Sequence, residues 1–211
     1  MARSRRRRHQ DSFGRRAKRE GHLARSVYKL EEIDRRVRLF RRGHRVLDLG
    51  AYPGSWSLYA AKKVGLEGRV LGLDIQPPTA ATPANVELRH ADIYEVDPKD
   101  FGTFDVVISD MAPSTTGNRF TDQCRSFDLF MRALDFAEAL LPPGGSFVGK
   151  LFVGPDFDAA RDRLRTLFVQ HRIIRPKATR NESIEAFLVG LQRKEVVAST
   201  LDAETADPEQ L

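Results

Sequence analysis

From Ser26 onward the chain alternates between two hydrophobic periods. Val27, Leu30, Ile33 and Val37 recur at helical spacing, which predicts an amphipathic helix that opens at Ser26 as N-cap and closes at the Arg-Arg-Gly-His run. Short apolar runs of strand length follow: RVLDLG, RVLGLDI, VELRHADI, FDVVISD, PPGGSFVGKLF and IEAFLVGLQ. Between them, SLYAAKKVG and residues 126–141 and 157–168 carry helical spacing, and a proline-rich connection separates the second strand from the third. Strand and helix in alternation predict an α/β fold with a parallel, doubly wound sheet covered on both faces. In such sheets ligands bind beyond the carboxyl ends of the strands. Those ends carry Asp48, Asp74, Asp92 and Asp110, and Lys150 lies inside the apolar strand FVGKLF. Any one of the acids reads equally as a helix cap or turn residue; one at each of four successive strand ends is a pattern.

The turn after the first strand, DLGAYPGSWS, narrows the ligand. A dinucleotide loop reads G-x-G-x-x-G and brings main-chain N–H groups to a pyrophosphate. Here the second glycine position holds Tyr52, and Pro53 has no N–H to donate. The Gly-Lys-Ser/Thr ending of a phosphate-binding loop is missing too. A ligand with an adenosine and no phosphates fits better, with a degenerate dinucleotide loop as the alternative. Asp74, 24 residues beyond Gly50, sits where an acid accepts from ribose hydroxyls. Asp92 is placed to accept from an adenine amino group, and close approach at Gly50 and Gly54 admits an amino-acid moiety carrying a sulfonium. That ligand is S-adenosylmethionine, whose cationic sulfur suits a rim of Asp48 and Asp110.

Charge adds a partner. Of the 211 residues, the first 45 hold 17 Lys/Arg against 5 Asp/Glu, and the rest hold 18 against 24. A basic arm on a mildly acidic body favours a polyanion. Residues 1–25 read as a flexible basic arm for such a partner, either nucleic acid or an anionic membrane surface, 26–194 as one folded domain, and 195–211, with five acids and no base, as a disordered tail. The single cysteine, Cys124, excludes an internal disulfide and thiolate zinc sites. No metal site is expected. No apolar run approaches the ~18 residues of a membrane span, and no apolar signal segment opens the chain, so a cytoplasmic protein without a membrane partner is expected. Three charged residues stand out besides the strand-end acids. Lys150 is buried by its strand, and lysine is rarely buried without a partner, unless it snorkels to the rim. Lys29 falls in a first helical turn, where the dipole disfavours a cation. Glu185 is an acid at the start of an apolar strand.

Taken in order, YKLEEID, LDLGAYPGSWS, LGLDI, ADI, SDMAP, LPPGGSFVGKLF and EAFLVG resemble the FtsJ/RlmE-type ribosomal RNA 2′-O-methyltransferases, from about Asp11 to Arg193. The resemblance implies a Rossmann-like class I S-adenosylmethionine methyltransferase fold, with a mostly parallel seven-stranded sheet. It implies a Lys-Asp-Lys-Glu tetrad falling on Lys29, Asp110, Lys150 and Glu185, and cofactor contacts at Gly54, Trp56, Asp74, Asp92 and Asp110. Tyr52 and Ser55 replace an alanine and a glycine of the family's loop, and only Arg25 remains of its Arg-Ser-Arg run. The activity implied is ribose 2′-O-methylation of a uridine in the A-loop of large-subunit ribosomal RNA, within an assembled particle, by a monomer. Lys150 would be the base, with Lys29 as a second cation, Glu185 holding the two lysines and Asp110 orienting Lys150. Relatives acting on tRNA, a non-catalytic ribosome-assembly factor of the same fold, and a nicotinamide-dependent oxidoreductase are the alternatives.

Overall fold

A computed structural model describes residues 12–79, 81–179 and 183–195. Helices α1 (Ser12–Arg19), α2 (Val27–Val37), α3 (Ser55–Val64), α4 (Arg119–Leu140) and α5 (Phe157–Leu167) surround strands β1 (Arg45–Leu49), β2 (Arg69–Asp74), β3 (Val86–His90), β4 (Val106–Ser109), β5 (Ser146–Phe152), β6 (Phe168–Ile174) and β7 (Glu185–Arg193). The seven strands form one sheet in the order β3-β2-β1-β4-β5-β7-β6. The first five positions are parallel, and β7 runs antiparallel to both β5 and β6. The expected Rossmann-like, mostly parallel sheet is the one found.

Successive strand side chains alternate between faces, which divides each apolar run between two cores. Val46, Val106, Ile108, Val148, Phe187 and Val189 meet Leu30 and Ile33 of α2 and Trp56, Ala60 and Val64 of α3. Leu47, Leu49, Leu73, Val107, Phe147 and Leu151 meet Phe130, Leu134 and Phe136 of α4 and Ala160 and Leu164 of α5. Strands buried on both sides cannot alternate apolar with polar, so they read as continuous apolar runs. No described helix is long and apolar enough to cross a membrane.

The structure departs from the sequence pattern in four places. Residues 12–25, expected to be flexible, contain α1, whose Ala17 is buried beside Val27, Tyr28 and Ala178. Tyr28 is the anchor: its hydroxyl donates to Glu20 Oε2 at 2.8 Å, and the Arg16 guanidinium lies 4.5 Å over its ring. The rest of the arm (1–11) and the tail from 196 lie outside the described residues. Ser26 lies before α2 but makes no side-chain cap bond. Helix α4 starts seven residues before the expected 126, because Asn118 Oδ1 accepts from the Thr121 N–H and caps a first turn whose one large apolar residue, Phe120, is exposed. Strand β6 went unread because only its two ends are buried, the pattern of an edge strand that packs little.

Candidate active site

The strand order reverses between β1 and β4, and the carboxyl ends of these strands open the crevice where such sheets bind ligands. Gly50, φ +79°, turns the chain out of β1. A Cβ there would lie 2.5 Å from Met111 Cγ and 3.2 Å from the Met111 backbone, so the loops after β1 and β4 touch. Gly54, φ +106°, then starts α3, and the Ser57 main-chain N–H of its first turn donates to the buried Asp48 carboxyl.

Three acids line this half. Asp74 accepts from the Tyr52 N–H at 2.9 Å and the Gln76 N–H at 2.8 Å, which fixes the carboxylate while each oxygen keeps a lone pair. Tyr52, unexplained in the sequence, is thus tied by its main chain while its ring is exposed. Asp92 accepts from the Tyr94 N–H at 2.9 Å, and the Ala91 N–H donates to the Asp74 carbonyl at 2.8 Å, locking the two loops together. Asp48 is fully buried and accepts from the Ser57 hydroxyl at 2.6 Å, while its Oδ1 has no partner among the described residues. Burial, opposed by the Ser57 hydrogen bond and assisted by the charges of Asp110 and Asp74, pushes its carboxyl up to about 7.

The other half holds two ion pairs, in which both lysines and Glu185 are buried and Asp110 is partly buried. Lys150 Nζ lies 2.9 Å from Asp110 Oδ1 and donates to the Asp110 carbonyl at 2.5 Å. Lys29 Nζ lies 2.5 Å from Glu185 Oε1 and 5.7 Å from the centre of the Phe187 ring. In the β5–β7 ladder Lys150 stands opposite Phe187, and Phe152 opposite Glu185. Directly opposed residues share a face, so Lys150 and Glu185 are diagonal neighbours. Burial alone raises the Glu185 carboxyl, but the charge and hydrogen bond of Lys29, the charge of Lys150 and a Thr179 hydrogen bond together hold it below the usual range. The four residues singled out by resemblance, Lys29, Asp110, Lys150 and Glu185, therefore converge from α2, the β4 loop, β5 and the start of β7.

Trp56 reaches this region from behind. Its ring is buried 5.7 Å from that of Phe187, and its indole N–H donates to the Ser26 carbonyl at 3.0 Å. The side chain ties α3 to the helix bearing Lys29, and only the Trp56 main chain belongs to the crevice turn. Ser55 is also buried. Two residues of the site carry no sequence signal. Ser57 holds Asp48, and Arg132 of α4 donates to the Ile93 and Val96 carbonyls, each at 2.8 Å, fixing the loop beyond Asp92. An arginine on a surface helix looks like any other.

A glycine turn without phosphate-binding features, acids at successive strand ends and a reversal between β1 and β4 define a Rossmann-like methyltransferase. Known proteins of similar sequence and structure agree. The chain is 54% identical over 187 residues to the ribosomal RNA large subunit methyltransferase E of Sorangium cellulosum, covering 87% of this chain and 88% of that one. The crystal structure of a putative ribosomal RNA methyltransferase from Plasmodium falciparum superposes with a TM-score of 0.72 at 23% identity, over 83% of this chain and 100% of that one. A SAM-dependent O-methyltransferase from Thermotoga maritima shares the fold at a TM-score of 0.55 and 14% identity, over 80% of this chain and 66% of that one. The FtsJ-like methyltransferase model matches residues 23–193, and the chain belongs to that family.

Proposed function

We propose that this enzyme methylates the ribose 2′-hydroxyl of a uridine in the A-loop of large-subunit ribosomal RNA, using S-adenosylmethionine, as a cytoplasmic monomer acting on the ribosomal subunit. The single observation that carries the reading is the pairing of Lys150 with Asp110 and of Lys29 with Glu185, with Lys150 and Glu185 diagonal neighbours at the edge of the crevice. The ribosomal substrate follows the name of the Sorangium relative. The residues present fit the cofactor. Gly50 lets the loops after β1 and β4 close against each other at the crevice, Asp74 and Asp92 are held for ribose and adenine, and Gly54 and the Trp56 main chain form the turn. When bound, S-adenosylmethionine supplies a methyl group on a cationic sulfur.

The chain's own task is then the proton of a poorly acidic hydroxyl. Lysine accepts a proton only in its neutral form, which desolvation and a neighbouring cation favour. In this reading Lys150 Nζ takes the 2′-hydroxyl proton as the oxygen is alkylated. Asp110 holds Lys150 in line, Lys29 is the second cation, and Glu185 keeps Lys29 in place. The test is to map 2′-O-methylation on large-subunit particles and on tRNA with wild type and Lys150→Ala, while titrating S-adenosylmethionine into both. Loss of methylation with cofactor affinity kept within about threefold is expected. Lys150→Arg fails in the same way, because a guanidinium does not deprotonate. Normal turnover by Lys150→Ala refutes the base, and methylation of tRNA alone refutes the substrate.

A further inference from the structure

The positive charge of the first 45 residues does not all face the crevice. Strand β1 leads from Arg45 at one end of the sheet to the turn at Gly50, a rise of roughly 15 Å at ~3.3 Å per residue. Helix α2 descends beside it, carrying the chain from Lys29 at the crevice to Arg38 at the opposite end. The connection 38–45 therefore sets Arg38, Arg41, Arg42 and Arg45 along the amino-terminal edge of the sheet, all exposed. Arg36 pairs with Glu32 and Lys63 with Asp34; among the described residues Arg38, Arg41 and Arg42 have no carboxylate partner.

This segment is built into the fold. Leu39 is buried, and the Phe40 ring lies 6.1 Å from that of Tyr59. The Gly43 N–H donates to the Val64 carbonyl at 2.8 Å and the Arg69 N–H to the His44 carbonyl at 3.1 Å. Beside it runs a groove lined by Arg45, Arg69, Asn85, Phe101 and Phe104, which extends along β3 to Arg89 near the crevice end, with the Arg45 guanidinium 5.4 Å over the Phe104 ring. Acids are also present at this edge. Glu87 pairs with Arg89, Asp105 accepts the Arg45 main-chain N–H, Asp100 lines the groove and Glu67 lies in the turn after α3. Arg38 adds an independent sign. It ends α2 in the left-handed conformation, φ +54°, where glycine is the unstrained choice, so an arginine is held at this exposed turn against its backbone preference.

We infer that Arg38, Arg41, Arg42 and the adjoining arginine groove form a second docking surface for RNA phosphates, at the end of the sheet opposite the crevice. The inference rests on the reading of the substrate as RNA and extends it. The substrate is long enough to contact both ends of the sheet, and the far contact adds affinity without selecting a nucleotide. Two variants test it: Arg41→Ala/Arg42→Ala, and the triple variant with Arg38→Gly, which keeps the turn its φ requires.

Binding of a structured ribosomal RNA fragment is followed by fluorescence anisotropy over a salt series. The control is Arg161→Ala/Arg165→Ala/Arg172→Ala on α5 and β6, which removes as many charges as the triple variant. About one unit of log Kd against log salt slope is expected to disappear per phosphate contact, hence about two for the double and three for the triple variant, with affinity at ~0.1 M salt down at least tenfold. The control keeps the wild-type slope. An unchanged slope in the triple variant, or an equal loss in the control, overturns the proposal. So does tighter RNA binding by the triple variant, which would show that the arginines hold the acidic tail instead. Failure of the parent reading is seen separately, as absence of ribose methylation by the wild type.

Discussion

Replacing Asp48 with asparagine should change how stability varies with pH. Asp48 is fully buried, and its carboxyl is raised from 3.8 to about 7 in the folded protein. The native state therefore holds a proton that the unfolded chain has released over the interval between those values. Stability falls as pH rises through that interval, by about 1.36 kcal/mol for each pH unit crossed. Worked through, ionisation of this one group costs the fold about 2 kcal/mol at pH 5 and about 4 kcal/mol at pH 8. Asparagine has the same shape and no such titration. It has its own cost, because a buried amide N–H without a partner is worth about 1–3 kcal/mol, but that cost is the same at both pH values. The measurement is urea unfolding of wild type and Asp48→Asn at pH 5 and pH 8. The variant's stability relative to wild type should rise by about 2–3 kcal/mol between the two. A relative stability constant to within about 0.5 kcal/mol, half the cost of an ordinary point mutation, refutes a titrating Asp48.

Two further substitutions probe the halves of the crevice. Glu185→Gln leaves the Lys29 ammonium buried without its counter-charge, and breaking a buried pair from one side costs about 3 kcal/mol. Because the Glu185 carboxyl lies below the usual range, its contribution is present above the unfolded value near ~4.3 and fades as pH falls through the folded one. Thermal melts should therefore separate wild type from Glu185→Gln at neutral pH and bring them together in acid; a gap that persists in acid contradicts the charge argument. Gly50→Ala places a methyl group 2.5 Å from Met111 Cγ at a φ of +79°, and the left-handed backbone alone costs about 1–2 kcal/mol. Calorimetric titration with S-adenosylmethionine should show affinity at least tenfold weaker, and wild-type affinity would mean that this turn does not face the cofactor.

What the sequence made legible follows from where each signal is generated. Buried parallel strands must be apolar on both sides, so β1, β2, β4 and β5 could be read directly, as could the acids that end them. Signals that depend on tertiary partners were not readable. The first helix is polar except for Phe13 and Ala17 and is recognisable only once Tyr28 and Ala178 are beneath it. The extension of α4 depends on one asparagine side chain. Trp56 is the instructive case. The loop motif marks it as a crevice residue, yet its indole faces away, toward Ser26 and Phe187, and a motif records a position without recording which part of the residue is used.

Glu185 gives the strongest argument about the site as a whole. The rule that ligands gather at the carboxyl ends of parallel strands finds Asp48, Asp74, Asp92 and Asp110, but it cannot find an acid at the beginning of a strand. Glu185 reaches the same edge because β7 is inserted antiparallel between β5 and β6, so that its first residue stands where its neighbours' last residues are. That inversion sets Glu185 opposite Phe152 and diagonal to Lys150, close enough for Lys150 to help hold it ionised. A parallel β7 would carry Glu185 to the far end of the sheet, beside the arginine edge, and leave Lys29 buried without a carboxylate. The antiparallel strand is thus what allows two buried cations at one crevice, each with its own counter-charge.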